Sequence, residues 1–97
     1  TGAKGSESVV VGTAYNGSAT WNPGAIADQA FESVDVTVTG AALGDFVLVS
    51  FSLDILDLVL TANVTATNIV TATLSNQTGA GVNLASGTLY VRILSRA

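Results

Sequence analysis

Ser33-Val34-Asp35-Val36-Thr37-Val38-Thr39 puts its three valines on one side of an extended backbone and Asp35, Thr37 and Thr39 on the other. Side chains alternate faces along a strand, so the pattern describes a strand packed on one face and wet on the other. The same period of two recurs downstream. In Leu58-Val59-Leu60-Thr61-Ala62-Asn63-Val64-Thr65-Ala66 the inward set is Leu58, Leu60, Ala62 and Val64; over residues 69–75 it is Val70, Ala72 and Leu74, and over residues 88–94 it is Leu89, Val91 and Ile93. Clusters of Gly, Asn, Ser and Asp separate these runs, and helical periodicity is nearly missing, so the chain reads as all-β.

The punctuation between runs predicts the remaining elements. Residues 8–14 form a first strand, and Asn16-Gly17 supplies a turn suited to positive φ. Ser18-Ala19-Thr20-Trp21-Asn22 is then a short strand stopped by Pro23-Gly24, and residues 25–30 are a small-residue connection with room for one helical turn. Gly40-Ala41-Ala42-Leu43-Gly44-Asp45 is a turn framed by glycines, which reach backbone angles closed to other residues. Phe46-Val47-Leu48-Val49-Ser50-Phe51-Ser52 is apolar on both faces, which predicts a central strand covered on both sides, by its own core and by another subunit. Residues 53–57 connect it onward, Asn68 marks a turn, residues 76–81 form a loop, Val82-Asn83-Leu84 is a brief extended piece, and Ala85-Ser86-Gly87 turns into the last strand. About seven strands at such spacing suit a two-sheet antiparallel β-sandwich or jelly roll over residues 18–97, with residues 1–17 as an extended N-terminal arm or first strand.

Of the 97 residues, 48% are hydrophobic and 10% charged, and the net charge is −4. A domain of about 100 residues buries only roughly 60–70% of the surface of its unfolded chain, so part of this apolar excess is expected to stay outside. A surface so poor in charge calls for a covering partner. That partner is not expected to be a membrane, since no run approaches the roughly 18–20 apolar residues of a spanning helix and the greasiest stretch is interrupted by Ser50, Ser52, Asp54 and Asp57. Nucleic acid is not expected either, because Lys4, Arg92 and Arg96 are the only cations and they are scattered. Residues 1–11 lack the pattern of a secretory leader, which leads to the expectation of a soluble chain.

Histidine, cysteine and methionine are all absent. The usual proton shuttle, thiol nucleophile and soft metal ligands go with them, so no enzyme activity and no cofactor are expected. Gly17-Ser18-Ala19 lacks the flanks of a nucleophile elbow, and Lys4 stands in no phosphate-binding loop. Asp54 and Asp57 are the one close acid pair between strands; a glycosidase needs two acids roughly 5–9.5 Å apart, but a lone D-x-x-D reads first as solvated acids that keep a sheet edge soluble. Trp21 with Tyr15 and Tyr90 offers a sugar platform, against the plainer reading of a core or subunit-interface tryptophan. Asn16-Gly17-Ser18, Asn63-Val64-Thr65 and Asn76-Gln77-Thr78 match the glycosylation acceptor pattern, which arises by chance in a chain rich in Asn and Thr.

Five segments, in order, carry a resemblance: Thr20-Trp21-Asn22-Pro23, Gly40-Ala41-Ala42-Leu43-Gly44-Asp45-Phe46, Phe51-Ser52, Asn76-Gln77-Thr78-Gly79 and Leu84-Ala85-Ser86-Gly87-Thr88-Leu89-Tyr90-Val91-Arg92. Together they resemble a small β-module of tailed-bacteriophage virion proteins, found in capsid decoration (cement) proteins and at the ends of phage fibres. The resemblance spans residues 19–94 and implies a non-enzymatic structural protein, a homotrimeric sandwich on the virion capsid surface, made in the host cytoplasm, whose partners are copies of itself and the major capsid protein. It implies no catalytic residue.

Only about 17 residues precede the resembling segment, which favours a stand-alone decoration protein over a fibre end. The alternative is a receptor- or glycan-binding tip domain of a fibre. Residues expected at subunit contacts are Val9, Val10 and Val11 in an arm that adds a strand to a neighbour, Phe46, Val47, Val49 and Phe51 in the two-sided strand, the aromatics Trp21 and Tyr90, and Arg92, which projects opposite the core face of its strand and is available to an acid on a neighbour.

Overall fold

The computed structural model describes residues 14–96. Within them the chain is all-β, with eight strands in antiparallel sheets and no helix. In chain order the strands are β1 (Ala14–Trp21), β2 (Gly24–Ile26), β3 (Phe31–Thr37), β4 (Phe46–Phe51), β5 (Val59–Ala66), β6 (Ile69–Ser75), β7 (Val82–Leu84) and β8 (Gly87–Leu94). They form two three-stranded sheets, β1-β8-β4 and β3-β6-β5, and a two-stranded sheet, β2-β7.

Alternation decides what each sheet buries. The middle strands are the most completely enclosed: Leu89, Val91 and Ile93 on β8, and Val70, Ala72 and Leu74 on β6, are all buried. Val36 on β3, Val38 just beyond it, and Leu58 and Val64 around β5 complete the inward set. These residues belong to one core shared by the inner faces of both three-stranded sheets, with β1 lying against β3 and β4 against β5. The small sheet β2-β7 adds Ile26 and Leu84 to that core. At about 0.8 kcal/mol per buried methylene this apolar cluster is the main stabilising contribution, since no disulfide is available.

Three expectations are corrected. Asn16-Gly17 is not a turn: β1 runs unbroken through it, with Asn16 opposite Arg92 and Gly17 opposite Val91. Glycine is required there by packing, because a Cβ at position 17 would stand 2.7 Å from Val38 Cγ2. Residues 25–30 hold no helical turn; Ala25 and Ile26 belong to β2, which pairs with β7 across a long sequence separation. Finally, among the described residues β4 pairs with β8 alone and stands at the end of its sheet rather than in the middle. Its apolar inner set, Val47, Val49 and Phe51, is half-buried, whereas Phe46 and Leu48 on its other face are 62% and 58% exposed.

The connections are fixed by specific polar contacts. The β5-β6 hairpin leaves Thr67 and Asn68 as its loop, and Asn68 takes φ +67°, a conformation that Asn tolerates better than most residues. Its Oδ1 accepts a hydrogen bond from Gly40 N at 2.9 Å, its own N–H donates to Ala41 O, and its carbonyl accepts from Val38 N. Residues 38–45 are thereby tied to the hairpin tip. Asp45 closes that turn, its Oδ2 accepting from Ala42 N and its Oδ1 from Arg96 N, both at 3.0 Å.

Candidate functional site

The register across β1-β8-β4 assembles the outer face of that sheet in rows. Ala14, Leu94 and Phe46 form one row, Asn16, Arg92 and Leu48 the next, and Ser18, Tyr90 and Ser50 the third. Phe46, Leu48 and Tyr90 are each more than half exposed. Single exposed apolar residues are ordinary, but three on one face within two strands form a patch of the kind that marks an interaction site. Between them lies an open concavity of about 570 Å³, bordered by Asn16, Ser18, Leu48, Ser50, Tyr90 and Arg92.

Arg92 is the only ionic group in those rows. Its side chain has a single polar partner among the described residues, Asn16 Oδ1, which accepts from Nη1 at 3.4 Å. That length lies beyond the usual 2.7–3.2 Å of an N–H···O bond, and a guanidinium carries five N–H donors, so most of its donors have no partner among the described residues. A tyrosine, an arginine and exposed aliphatic groups around a shallow hollow make the residue mixture in which interface hot spots concentrate.

The outer face of β3-β6-β5 is different. Exposed Phe31 and Val59 share one row at its end, and the rest of it presents Ser33, Asp35, Thr61, Thr71 and Thr73, whose polar groups largely satisfy one another: Thr71 Oγ1 donates to Asp35 Oδ1 at 2.7 Å, and the hydroxyl pairs Ser33–Thr73 and Thr65–Thr71 lie at 3.1 and 2.8 Å. Cross-strand hydroxyl pairs stabilise the sheet and leave little for a ligand.

No family model matches the chain, and no curated protein does.

The residues singled out in the sequence divide cleanly. Phe46, Tyr90 and Arg92 share the outer face of β1-β8-β4, while Val47, Val49 and Phe51 share its inner one. Trp21 is buried, its indole meeting the Phe51 ring edge-on with centroids 6.0 Å apart. Tyr15 also packs inward, so Trp21, Tyr15 and Tyr90 do not make a common sugar platform. Val9, Val10 and Val11 lie outside the described residues, and residues 14–17 of the expected arm form the first half of β1. Leu48, Asn16, Ser18 and Ser50 were missed; position parity along β4 and β8 would have found Leu48 once the β4-β8 register was known.

Asp54 and Asp57 sit in the exposed β4-β5 connection. Asp54 Oδ1 accepts a hydrogen bond from Leu56 N at 3.0 Å, which gives that acid a local structural role. No group of three or more potential metal ligands occurs among the described residues. Asn76, one of the three matches to the glycosylation pattern, is fully buried, and its Nδ2 donates to both Ile26 O and Ala80 O at 2.8 Å.

Proposed function

We propose that this chain is a non-enzymatic virion structural protein: a capsid decoration (cement) protein, folded as a two-sheet β-sandwich, that trimerises and bridges neighbouring capsid subunits. The observation that carries the reading is the outer face of β1-β8-β4, where Phe46, Leu48 and Tyr90 stand exposed around Arg92 on a sheet whose other face is already filled. That face supplies a reason for the excess of apolar over charged residues, and it is suited to protein, which can match an aromatic and aliphatic surface around one cation. The virion assignment is supported by the resemblance of residues 19–94 to the phage module, and the non-enzymatic one by the lack of histidine and cysteine. A subunit that binds only the assembled shell stabilises that shell by mass action.

Sedimentation of the full chain at micromolar concentration, together with binding to capsids stripped of their decoration protein, tests this reading. A trimer that binds and raises the temperature at which the capsids lose their contents is expected. A monomer with no affinity for such capsids overturns it.

A receptor- or glycan-binding fibre tip is the second reading, favoured by the concavity in which the exposed Tyr90 ring lies beside Arg92 and Asn16. Glycan-array binding that is abolished by Tyr90→Ala would replace the first reading with this one.

A further inference from the structure

The self-association in the reading above leaves open which surfaces meet. We infer that the contact is head-to-tail: the concavity around Arg92 on one copy receives the β4-β5 connection of the next, and Asp57 of that loop pairs with Arg92. This inference rests on the self-assembly part of the proposed function and identifies its partner surface.

The loop is a rigid projection of complementary chemistry. Leu58 N donates to Ile55 O at 3.0 Å, closing a four-residue turn, and the two central residues, Leu56 and Asp57, both have positive φ, 53° and 68°. Asp54 braces the turn through Leu56 N. Leu53 and Leu56 are 42% and 46% exposed, so the connection offers apolar side chains next to an exposed acid. Asp57 carries no hydrogen bond or ion pair among the described residues, a state it shares only with Glu32 among the described acids. Glu32 is a poorer match because it and exposed Phe31 are successive residues of β3 and point to opposite faces.

The receiving face has the opposite character, apolar around a single cation. Packing it against its own copy about a two-fold axis would bring two Arg92 groups and no acid to the same contact, whereas the loop brings a carboxylate. A carboxylate and a guanidinium form a two-pronged, charge-assisted pair. The hollow, about 570 Å³ and open to solvent, offers a protruding loop a shallow seat bordered by Leu48, Tyr90 and Arg92. Two different surfaces that meet generate a closed ring or an open filament, and a ring of three is the form the proposed function requires.

The test is a charge exchange on the full chain, read by sedimentation. Arg92→Asp and Asp57→Arg are each expected to raise the dissociation constant at least about tenfold, and the double exchange to restore association. Asp57→Asn, which keeps a residue that tolerates the left-handed backbone, gives a milder loss if Asp57→Arg disturbs the turn. Single variants that remain trimeric, or a folded double variant that does not reassemble, overturn the head-to-tail contact while leaving a trimer by another surface. A wild-type monomer removes the self-assembly reading, and this contact with it.

Discussion

Gly17 lies so close to Val38 that a methyl group at position 17 would stand 2.7 Å from Val38 Cγ2. Val38 is buried and β-branched, so it has little freedom to turn aside, and Thr37 O, 3.4 Å from the same point, closes the second direction. Gly17→Ala therefore pushes β1 away from β3. A loss of about 1–3 kcal/mol in unfolding free energy is expected, seen as a lower urea midpoint with an unchanged slope. If position 17 faced open space instead, alanine would be tolerated there.

That site also shows which parts of the fold the chain states openly. Val34, Val36, Val70, Ala72, Leu74, Leu89, Val91 and Ile93 were assignable to the core because a period of two is a local signal and each strand carries it whole. Glycine at 17 answers to a neighbour about twenty residues away, and no local pattern separates that need from turn chemistry. Gly24–Ile26 and Val82–Leu84 are too short to show any period, and they become strands only by pairing with each other. The run Phe46–Phe51 announced two apolar faces correctly but not its place at the end of the sheet among the described residues, since apolarity does not record which side has a neighbour. The candidate face was half legible for the same reason: Phe46, Tyr90 and Arg92 were visible one by one, and only the β4-β8 register places them together.

Asn76 should be among the most sensitive polar positions. Its side chain makes four hydrogen bonds: Nδ2 to Ile26 O and Ala80 O, and Oδ1 from Thr78 N and Thr78 Oγ1. Its backbone adds two more, to Ala30 O and from Gln29 N. Asn76→Ala leaves Ile26 O and Thr78 N without those partners, at an expected cost of about 2–3 kcal/mol. Asn76→Asp is expected to be worse, because a carboxylate would face two carbonyl oxygens that need donors. Chemical denaturation of the three proteins side by side checks the order wild type, Ala, Asp.

Trp21 is the only tryptophan, so its fluorescence reports on one place in the core. Buried against the edge of Phe51, it is expected to emit at short wavelength in the native protein and to shift to the red on unfolding. Trp21→Ala removes one of the largest core side chains and is expected to lower stability by about 3–5 kcal/mol, enough to unfold a marginal domain. Emission at the wavelength of a solvated indole in the folded protein would contradict the inward placement and reopen a ligand-facing role.

Leu56 separates stability from association. At φ +53° it adopts a left-handed backbone that strains an ordinary side chain by about 1–2 kcal/mol, while asparagine enters that region far more readily. Its side chain is 46% exposed, so replacement with asparagine forfeits only about half of the roughly 1.5–3 kcal/mol that a fully buried leucine contributes. The two effects oppose each other and are of similar size. Leu56→Asn is therefore expected to leave the thermal midpoint of the isolated chain nearly unchanged, yet to weaken self-association, because the leucine belongs to the projection that enters the Arg92 hollow. Denaturation at a concentration where the protein is monomeric, paired with sedimentation where the wild type assembles, measures the two separately. A variant that loses stability and association in proportion would mean that Leu56 supports the fold alone.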